Sequence, residues 1–308
     1  MADKAMVIQR INSELERSNA NYSLFIHRTG LIGFYDSIYL EKENFEVDDR
    51  VQIIQDKQFK DDMTIKKLSL GQHLSVIGNE AFKACTCIKE LDTSKVGYIE
   101  EIGYKAFSED NFKELKLRYK IRVIQGYAFY RCRGLAGADI VGVKEIGEYG
   151  FCDCIALKKI DIGNNLVKIG EKAFYNCTSL RQLDIGVCIK EIGSYGIANC
   201  AIDEIVLAGY NMTVLNNCCD TCYNLKEAVI NISGEKSVVY NDIFRNCIRL
   251  KRIIVEKLEG AVSKQVFNGI PSDTIIYCNE ECIHKIGKLA GGRHIELLGE
   301  KGVLAGNE

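Results

Sequence analysis

Cysteines are the residues of this sequence that could carry chemistry, since the chain has 14 of them and only four histidines. The range Cys219–Cys222 is formally a C-x-x-C motif with Cys218 beside it, and two thiols at that spacing can form a redox pair or bind zinc. A second group, Cys278, Cys282 and His284, supplies three zinc ligands without an evident fourth. These groups define the hypothesis of a thiol or zinc enzyme.

Other motifs of catalysis are missing from the sequence. No histidine lies beside a nucleophile motif, and there is no P-loop or dinucleotide-binding fingerprint. We therefore expect no catalytic residue, no cofactor and no bound metal.

Composition and charge narrow the class of partner. The chain is 47% hydrophobic and 27% charged, which is ordinary for a folded protein with a sizeable core. Its 40 basic and 42 acidic residues give a formal net charge of −2. There is no global electrostatic reason to expect nucleic acid or an anionic membrane as partner.

The N-terminal residues show no apolar stretch followed by a cleavage site, and no segment approaches 18 uncharged apolar residues. We expect no membrane insertion and a cytoplasmic protein as written, in which most thiols stay reduced. If a leader has been removed, the expectation changes to a secreted or cell-surface protein.

An internal repeat organises most of the chain. The unit is clearest around Ile169–Ile185, and sliding it along the sequence aligns a large apolar residue, the anchor, at intervals of 22 to 25 residues. The anchors are Phe59, Phe82, Phe107, Phe129, Phe151, Phe174, Ile197, Cys219, Phe244 and Phe267.

Half of the cysteines follow from this repeat. The third residue after the anchor is a small slot, which Cys fills in seven coils, with Asp62, Asp110 and Ile270 as exceptions. In the C-x-x-C segment, Cys218, Cys219 and Cys222 take the Ala, anchor and small slots, so all three are expected to point inward as small hydrophobes. This structural interpretation is favoured over a redox or zinc site, because buried thiols in apolar surroundings are inert. The seven slot cysteines are Cys85, Cys132, Cys154, Cys177, Cys200, Cys222 and Cys247.

The periods within one unit predict its shape. Apolar residues at +6, +9 and +11 from the anchor end the unit in a strand, although Phe112 and Ile202 begin this pattern one residue early. Apolar residues three apart around the anchor suit a helical or 3₁₀ turn. A second extended segment precedes a recurrent Gly, which permits a tight turn. One such coil cannot fold alone, so neighbouring coils must stack.

The non-repeating ends are expected to cap this stack. A helix at Ala5–Leu15 and two strands within Tyr22–Leu40 would form the first cap, and a helix at Glu280–Leu289 with a strand at His294–Leu298 the second. The predicted fold is an α/β leucine-rich-repeat solenoid, a right-handed superhelix of about ten coils with parallel strands and terminal caps. The predicted domains are an N-terminal cap at 1–50, the solenoid at 51–278, and a C-terminal cap with a frayed tail at 279–308.

The outward strand position, ten residues after most anchors, is the candidate binding surface. Because parallel strands stack about 4.8 Å apart, its residues would form one column that is acidic at one end and apolar at the other. The carboxylates would repel one another until a cation arrives, which suits a protein or peptide with basic and hydrophobic segments. The alternative is that the acids are merely solvated and the aliphatic residues merely favour strands. The candidate binding residues are Asp92, Asp139, Asp161, Asp184, Val206, Val229 and Ile254.

At these repeats the sequence resembles the BspA-like leucine-rich repeat family, whose unit runs I-G-x-x-A-F-x-x-C-x-x-L-x-x-I-x-I. The resemblance covers about residues 51 to 278 and implies a solenoid that commonly belongs to microbial surface adhesins or host-interacting proteins. The first functional hypothesis is a non-catalytic module that binds a protein or peptide on its strand-lined face. The alternative is a cell-surface adhesin whose leader is missing.

Overall fold

The computed structural model describes residues 43–298 and, before them, the strands β1 (Tyr22–Ile26) and β2 (Ile32–Asp36). These two strands pair antiparallel, with Tyr22 opposite Asp36, in agreement with the two strands expected within Tyr22–Leu40. The predicted helix at Ala5–Leu15 and the tail from Gly299 lie outside the described residues.

One side of the solenoid is a parallel ladder of ten short strands, one from each coil, stacked in chain order. All but the last of these strands bury at least one apolar residue in the core, and neighbouring strands keep these residues in register, as with Ile146 and Ile169. We call this sheet the long ladder. Its strands are β4 (Ile53–Ile54), β6 (Val76–Ile77), β8 (Ile99–Ile102), β10 (Ile121–Ile124), β12 (Glu145–Ile146), β14 (Lys168–Ile169), β15 (Glu191–Ile192), β17 (Thr213–Val214), β19 (Val238–Val239) and β21 (Ala261–Val262).

A second side carries the strands that end each coil, and we call it the strand face. These strands are also parallel, but they form three separate sheets of three, three and five strands. The first sheet is β3 (Asn44–Glu46), β5 (Lys67–Ser69) and β7 (Glu90–Asp92), and the second is β9 (Glu114–Lys116), β11 (Gly137–Asp139) and β13 (Lys159–Asp161). The third is β16 (Glu204–Tyr210), β18 (Glu227–Ser233), β20 (Arg252–Leu258), β22 (Ile275–Cys278) and β23 (Ile295–Leu297).

The anchors form the centre of the core. Six consecutive phenyl rings, from Phe59 to Phe174, stack with centroids 5.0 to 5.6 Å apart and planes within 13° of parallel. Ile197, Cys219, Phe244 and Phe267 continue the buried column. The predicted leucine-rich-repeat solenoid is therefore confirmed.

The segment around each anchor is a chain of turns rather than the helical turn expected from the sequence. Residues two before and two after the anchor adopt left-handed conformations, for example Glu80 at φ 55° and Ala84 at φ 63°, and these interrupt helical geometry. The alternating N–H groups point to the next coil, where Phe82 donates to the Ala106 carbonyl at 2.8 Å and Ala84 to the Ser108 carbonyl at 2.7 Å. Inter-coil hydrogen bonds thus offset the cost of the left-handed residues.

The recurrent Gly was expected to permit a tight turn, but the structure gives a different reason for it. A Cβ added to Gly147 or Gly170 would lie 2.5 Å from a backbone nitrogen of the preceding coil. Neither glycine has a positive φ. Close stacking of the coils, rather than turn geometry, therefore excludes a side chain at this position.

The C-terminal end of the stack is covered by the single α-helix of the described residues, Glu280–Leu289. The Asn279 side chain caps it by accepting the Cys282 N–H at 2.9 Å. Ile286 and Leu289 are buried against the last coil. Beyond the helix, β23 adds to β22 within the predicted range His294–Leu298.

The division into domains at 1–50, 51–278 and 279–308 remains a prediction. Its first boundary lies inside the stack, because β3 pairs with β5 before residue 51 and Phe45 is buried in the core.

Candidate functional site

The outward position of the strand face forms a column, as its spacing predicts. Within each sheet the residues are register partners, and the segment around Asp184 continues the same offset through a bridge between Lys159 and Gln182. In order, the outward column is Ser69 and Asp92, then Lys116, Asp139 and Asp161, then Asp184, and finally Val206, Val229, Ile254 and Tyr277.

An arginine that the sequence analysis missed lies between two of the acids. Arg118 donates from Nε to Asp139 at 2.7 Å and from Nη2 to Asp161. These bonds hold the guanidinium in its charged form, raising the pKa of Arg118. The mutual repulsion expected of the carboxylates is therefore relieved within the protein, and this pair does not await an external cation.

Two further acids of the column are occupied by turns. Asp92 accepts the Ser94 N–H at 2.9 Å, and this backbone bond is the main reason that the pKa of Asp92 lies below its usual value. Asp184 accepts the Gly186 N–H at 2.9 Å in the same way. Within residues 43–298 no cationic side chain lies at salt-bridge distance from Asp184, which leaves its charge unbalanced.

The apolar part of the column lies on the longest strands of the face. β16, β18 and β20 have seven residues each, and their alternate residues point outward. Val206 is 51% exposed, and Val229, Ile254 and Tyr277 are half-buried beside it. Glu227 and Arg252 lie two residues before Val229 and Ile254 and on the same face of the sheet. They form an ion pair at 2.6 Å, so their charges are not free to bind a ligand.

The strand face is open where one sheet ends and the next begins. The N-terminal gap separates β7 from β9, and the described residues show no backbone hydrogen bond between these two strands. A cleft of about 510 Å³ lies here, lined by Lys89, Lys113, Lys116 and Lys120 together with three carboxylates. Side chains bridge the gap, since the Thr93 hydroxyl donates to the Lys116 carbonyl and the Lys120 ammonium donates to the Thr93 carbonyl at 3.0 Å.

The central gap separates β13 from β16 and contains the segment Gln182–Val187. Its cleft of about 470 Å³ is lined by the exposed side chains of Val187 and Val206, by Ala208, and by the carboxylates of Asp184 and Glu204. The backbone bond from Asp203 N–H to the Arg181 carbonyl, 3.2 Å long, lies at its edge. Among the described residues, no hydrogen bond joins Leu183–Val187 to β16. At the far end of this strand the Lys190 ammonium donates to the Tyr210 carbonyl at 2.6 Å.

Both gaps precede the two coils in which the strand begins one residue early. In most coils the apolar residue shortly before the strand donates its N–H to the carbonyl of the small-slot residue three positions earlier. In one such turn the Leu157 N–H donates to the Cys154 carbonyl at 3.0 Å. Phe112 and Ile202 follow their slots by two residues and make no such bond in the described chain. The missing residue shifts each strand away from the preceding coil, and the early spacing was the sequence signal for both gaps.

The slot cysteines are structural donors. All seven thiols donate to the backbone carbonyl of the preceding anchor at 2.9 to 3.2 Å, beginning with Cys85 on Phe59. Burial raises the pKa of Cys132 and of Cys154 well above the usual thiol value. Thiols in this state are poor nucleophiles and poor metal ligands.

Neither of the two candidate thiol or zinc sites brings its side chains together as free ligands. Cys218 and Cys219 are buried with their sulfurs 3.6 Å apart, and the Cys222 thiol donates to the Ile197 carbonyl. Cys282 is buried whereas His284, two residues later on the helix, is exposed. Within the described chain no group of three His, Cys, Asp or Glu side chains is arranged to hold a metal ion.

Asp110 is one of three exceptions in the small slot, with Asp62 and Ile270. Its carboxyl group is buried, and neither oxygen has a hydrogen-bond partner. The slot faces the carbonyl of the preceding anchor, and an aspartic acid can donate a hydrogen bond there only when it is protonated. Burial raises the pKa of Asp110 well above its usual range.

Comparison with known families decides the identity of the repeat. The family described as BspA type leucine rich repeat region (6 copies) matches residues 32–142 and 144–282, well over half of the chain. The chain belongs to the BspA-type leucine-rich repeat family. Such repeat proteins are commonly interaction or surface proteins and are typically non-enzymatic.

This BspA-type chain is similar to solved structures of other leucine-rich repeat proteins. One from Bacteroides ovatus is 13% identical, covers 91% of this chain and 98% of its own, and has a TM-score of 0.45. The pneumococcal vaccine antigen PcpA is 18% identical, with coverage of 89% and 82% and a TM-score of 0.43. A leucine-rich repeat protein of T. pallidum is 18% identical, with coverage of 75% and 88% and a TM-score of 0.44.

No curated protein matches this BspA-type chain. Among the described residues, no helix has the length and apolar character needed to span a lipid bilayer.

Proposed function

We propose that this BspA-type repeat protein is a non-catalytic module that binds a protein or peptide through its strand face. The observation that carries the proposal is the apolar end of the outward column, Val206, Val229, Ile254 and Tyr277. These side chains project in register from long paired strands and lie outside the buried core. Aliphatic and aromatic groups held on a rigid sheet are well suited to a protein interface.

The acidic part of the column supports a narrower role than the sequence suggested. Asp139 and Asp161 are balanced by Arg118, whereas Asp184 lies beside the apolar residues without a cation. Electrostatic attraction to a partner is therefore concentrated where the acidic and apolar parts meet. A partner with adjoining basic and hydrophobic residues fits that junction.

Site-specific photo-crosslinking tests the proposal. A photoreactive amino acid is placed at Val229 on the strand face and, as a matched control, at Glu145 on the long ladder. We expect a partner from the source cells to be captured covalently at position 229 and not at position 145. Equal capture at both positions, or none at 229, would contradict the proposal.

The non-catalytic part of the proposal rests on the thiols. Twelve of the cysteines are buried, Cys87 is half-buried and Cys188 is exposed. Labelling with a thiol reagent should therefore modify Cys188 first and Cys87 more slowly, and the buried thiols only after denaturation. Rapid native labelling of Cys219 or Cys222 would instead favour a thiol enzyme.

A further inference from the structure

We infer that the central gap is an anchor pocket that takes an aliphatic side chain of an extended peptide segment, with a basic residue next to it in that segment. The inference rests on the proposed function and names where on the strand face, and by what chemistry, a partner is held.

The first argument is the shape of the gap. The core beneath it is complete, since Leu183, Ile185, Ile205 and Leu207 are buried. Only the outer layer is interrupted, so the opening is a surface cleft and not a fault in the fold. Its volume of about 470 Å³ lies within the range of about 300–1,000 Å³ that is typical of ligand pockets.

The second argument is the chemistry of the walls. Val187 is 67% exposed and Val206 is 51% exposed, and both line the cleft together with Ala208. Exposed aliphatic groups that converge on one cleft can bury an aliphatic side chain of a partner.

The third argument is charge. Asp184 and Glu204 line the same cleft, and within residues 43–298 neither has a cationic side chain at salt-bridge distance. The neighbouring carboxylate of Asp203 is different, because Lys226 lies 3.4 Å from it. The two unbalanced carboxylates at an apolar pocket select a ligand that carries positive charge beside its apolar group.

The fourth argument is the backbone. β16 is the edge strand of its sheet, and hydrogen bonds to the preceding coil lie only at its two ends, where the Asp203 N–H donates to the Arg181 carbonyl and the Lys190 ammonium donates to the Tyr210 carbonyl at 2.6 Å. Between these ends, its backbone groups toward Leu183–Val187 have no hydrogen-bond partner in the described chain. An edge strand of this kind can hydrogen-bond an extended peptide. The aliphatic pocket, the two carboxylates and the free edge together favour a peptide over a small molecule.

Selection of peptides tests the inference. A random heptapeptide phage library is panned on the immobilised full chain, and the consensus peptide is then synthesised with a fluorophore for anisotropy titrations. We expect the enriched peptides to contain Lys or Arg beside an aliphatic residue. Replacement V206S should weaken the binding of this peptide about ten-fold, since anchor contacts dominate such interfaces.

The acidic pair gives a second variant with a distinct signature. D184N together with E204Q should weaken binding about five-fold at low salt, and the difference should shrink at high salt because exposed charges are screened. Two control variants should bind like the wild type: I248S, which removes an aliphatic group that is even more exposed than Val206 and lies elsewhere, and E145Q, on the long ladder.

The outcomes separate this inference from the proposed function. If no basic and aliphatic peptide is enriched, or if enriched peptides bind V206S and the acidic double variant like the wild type, the anchor pocket is wrong. Should crosslinking at Val229 still capture a partner in that case, the strand face remains the binding surface without this pocket. Loss of both results would overturn both statements.

Discussion

The N-terminal gap and the central gap interrupt the same face of the solenoid, but the side chains that surround them differ. At the N-terminal gap, Thr93 and Lys120 replace the missing ladder bonds with hydrogen bonds to backbone carbonyls. At the central gap, the walls are two exposed valines and two unbalanced carboxylates. There, the Lys190 ammonium reaches the strand only at its far end, on the Tyr210 carbonyl. The same shortening of a coil thus produces a cleft lined by lysines and carboxylates in one place and a cleft with exposed aliphatic walls in the other.

The largest expected difference lies in the core below the gaps. F107A, below the N-terminal gap, removes a ring that stacks on both Phe82 and Phe129 and should lower the free energy of unfolding by about 3–5 kcal/mol. I197A, below the central gap, removes an aliphatic side chain and no ring–ring stacking, and it should lower the free energy of unfolding by less. Urea unfolding of both variants measures the two free-energy differences. A larger loss of stability in I197A would contradict this prediction.

Asp110, in the coil that follows the N-terminal gap, gives a pH-dependent difference. Its pKa is raised in the folded state, so its contribution to stability is fully present below the unfolded value of about 3.9 and is lost as the pH rises through the folded pKa. The coil after the central gap has Cys200 at this slot and lacks this dependence.

Replacement D110N should therefore stabilise the protein at pH 8 by about 1–3 kcal/mol, because the amide supplies a donor without a buried charge. The comparison is made by urea unfolding at pH 5 and pH 8, with D110C as a second variant that restores the usual ladder residue. We expect the free energy of unfolding to fall more from pH 5 to pH 8 in the wild type than in D110N. If it changes by the same amount in both proteins, Asp110 is not the group responsible.

Removing the bridge at the N-terminal gap should have a smaller effect. T93V abolishes the hydroxyl donor to the Lys116 carbonyl and should cost about 1 kcal/mol. Amide hydrogen exchange should then quicken in β7 and β9 and stay unchanged in β16. T86V, whose hydroxyl is exposed, is the matched control. If amide exchange in β7 and β9 is unchanged in T93V, the Thr93 hydrogen bond does not stabilise these two strands.

The smallest effect on stability is expected between the two gaps, at Arg118. This guanidinium is exposed, and exposed ion pairs add little to stability, so R118Q should unfold at the wild-type urea concentration. Its loss leaves Asp139 and Asp161 unbalanced, and a fluorescent tetralysine peptide should bind R118Q more tightly than the wild type at low salt. Equal binding would show that these acids are not accessible to a cation.

The sequence predicted the stack and the outward column because both depend on local periods. The intervals between Phe82 and Phe174 and the alternation around Val206 are visible without coordinates. The turn segments were not predicted, since apolar residues three apart fit a helix as well as a chain of turns. Hydrogen bonds from Glu80 and Ala84 to the next coil decide between them, and these are invisible in one repeat.

The candidate site was predicted only in outline. The column was found, but Arg118 and the clefts were not, because a side chain that reaches across two coils follows no period in the sequence. Phe112 and Ile202 did show the shortened spacing. What that spacing does to the neighbouring coil became visible only when the strands were paired.

The unbroken long ladder has a mechanical consequence when it is set against the interrupted strand face. Ten paired strands hold one side together continuously, whereas the other side has two places where neighbouring strands are not paired. We therefore expect any bending of the solenoid to be concentrated at these two gaps while the long ladder stays intact. Bending at the central gap would change the width of its pocket.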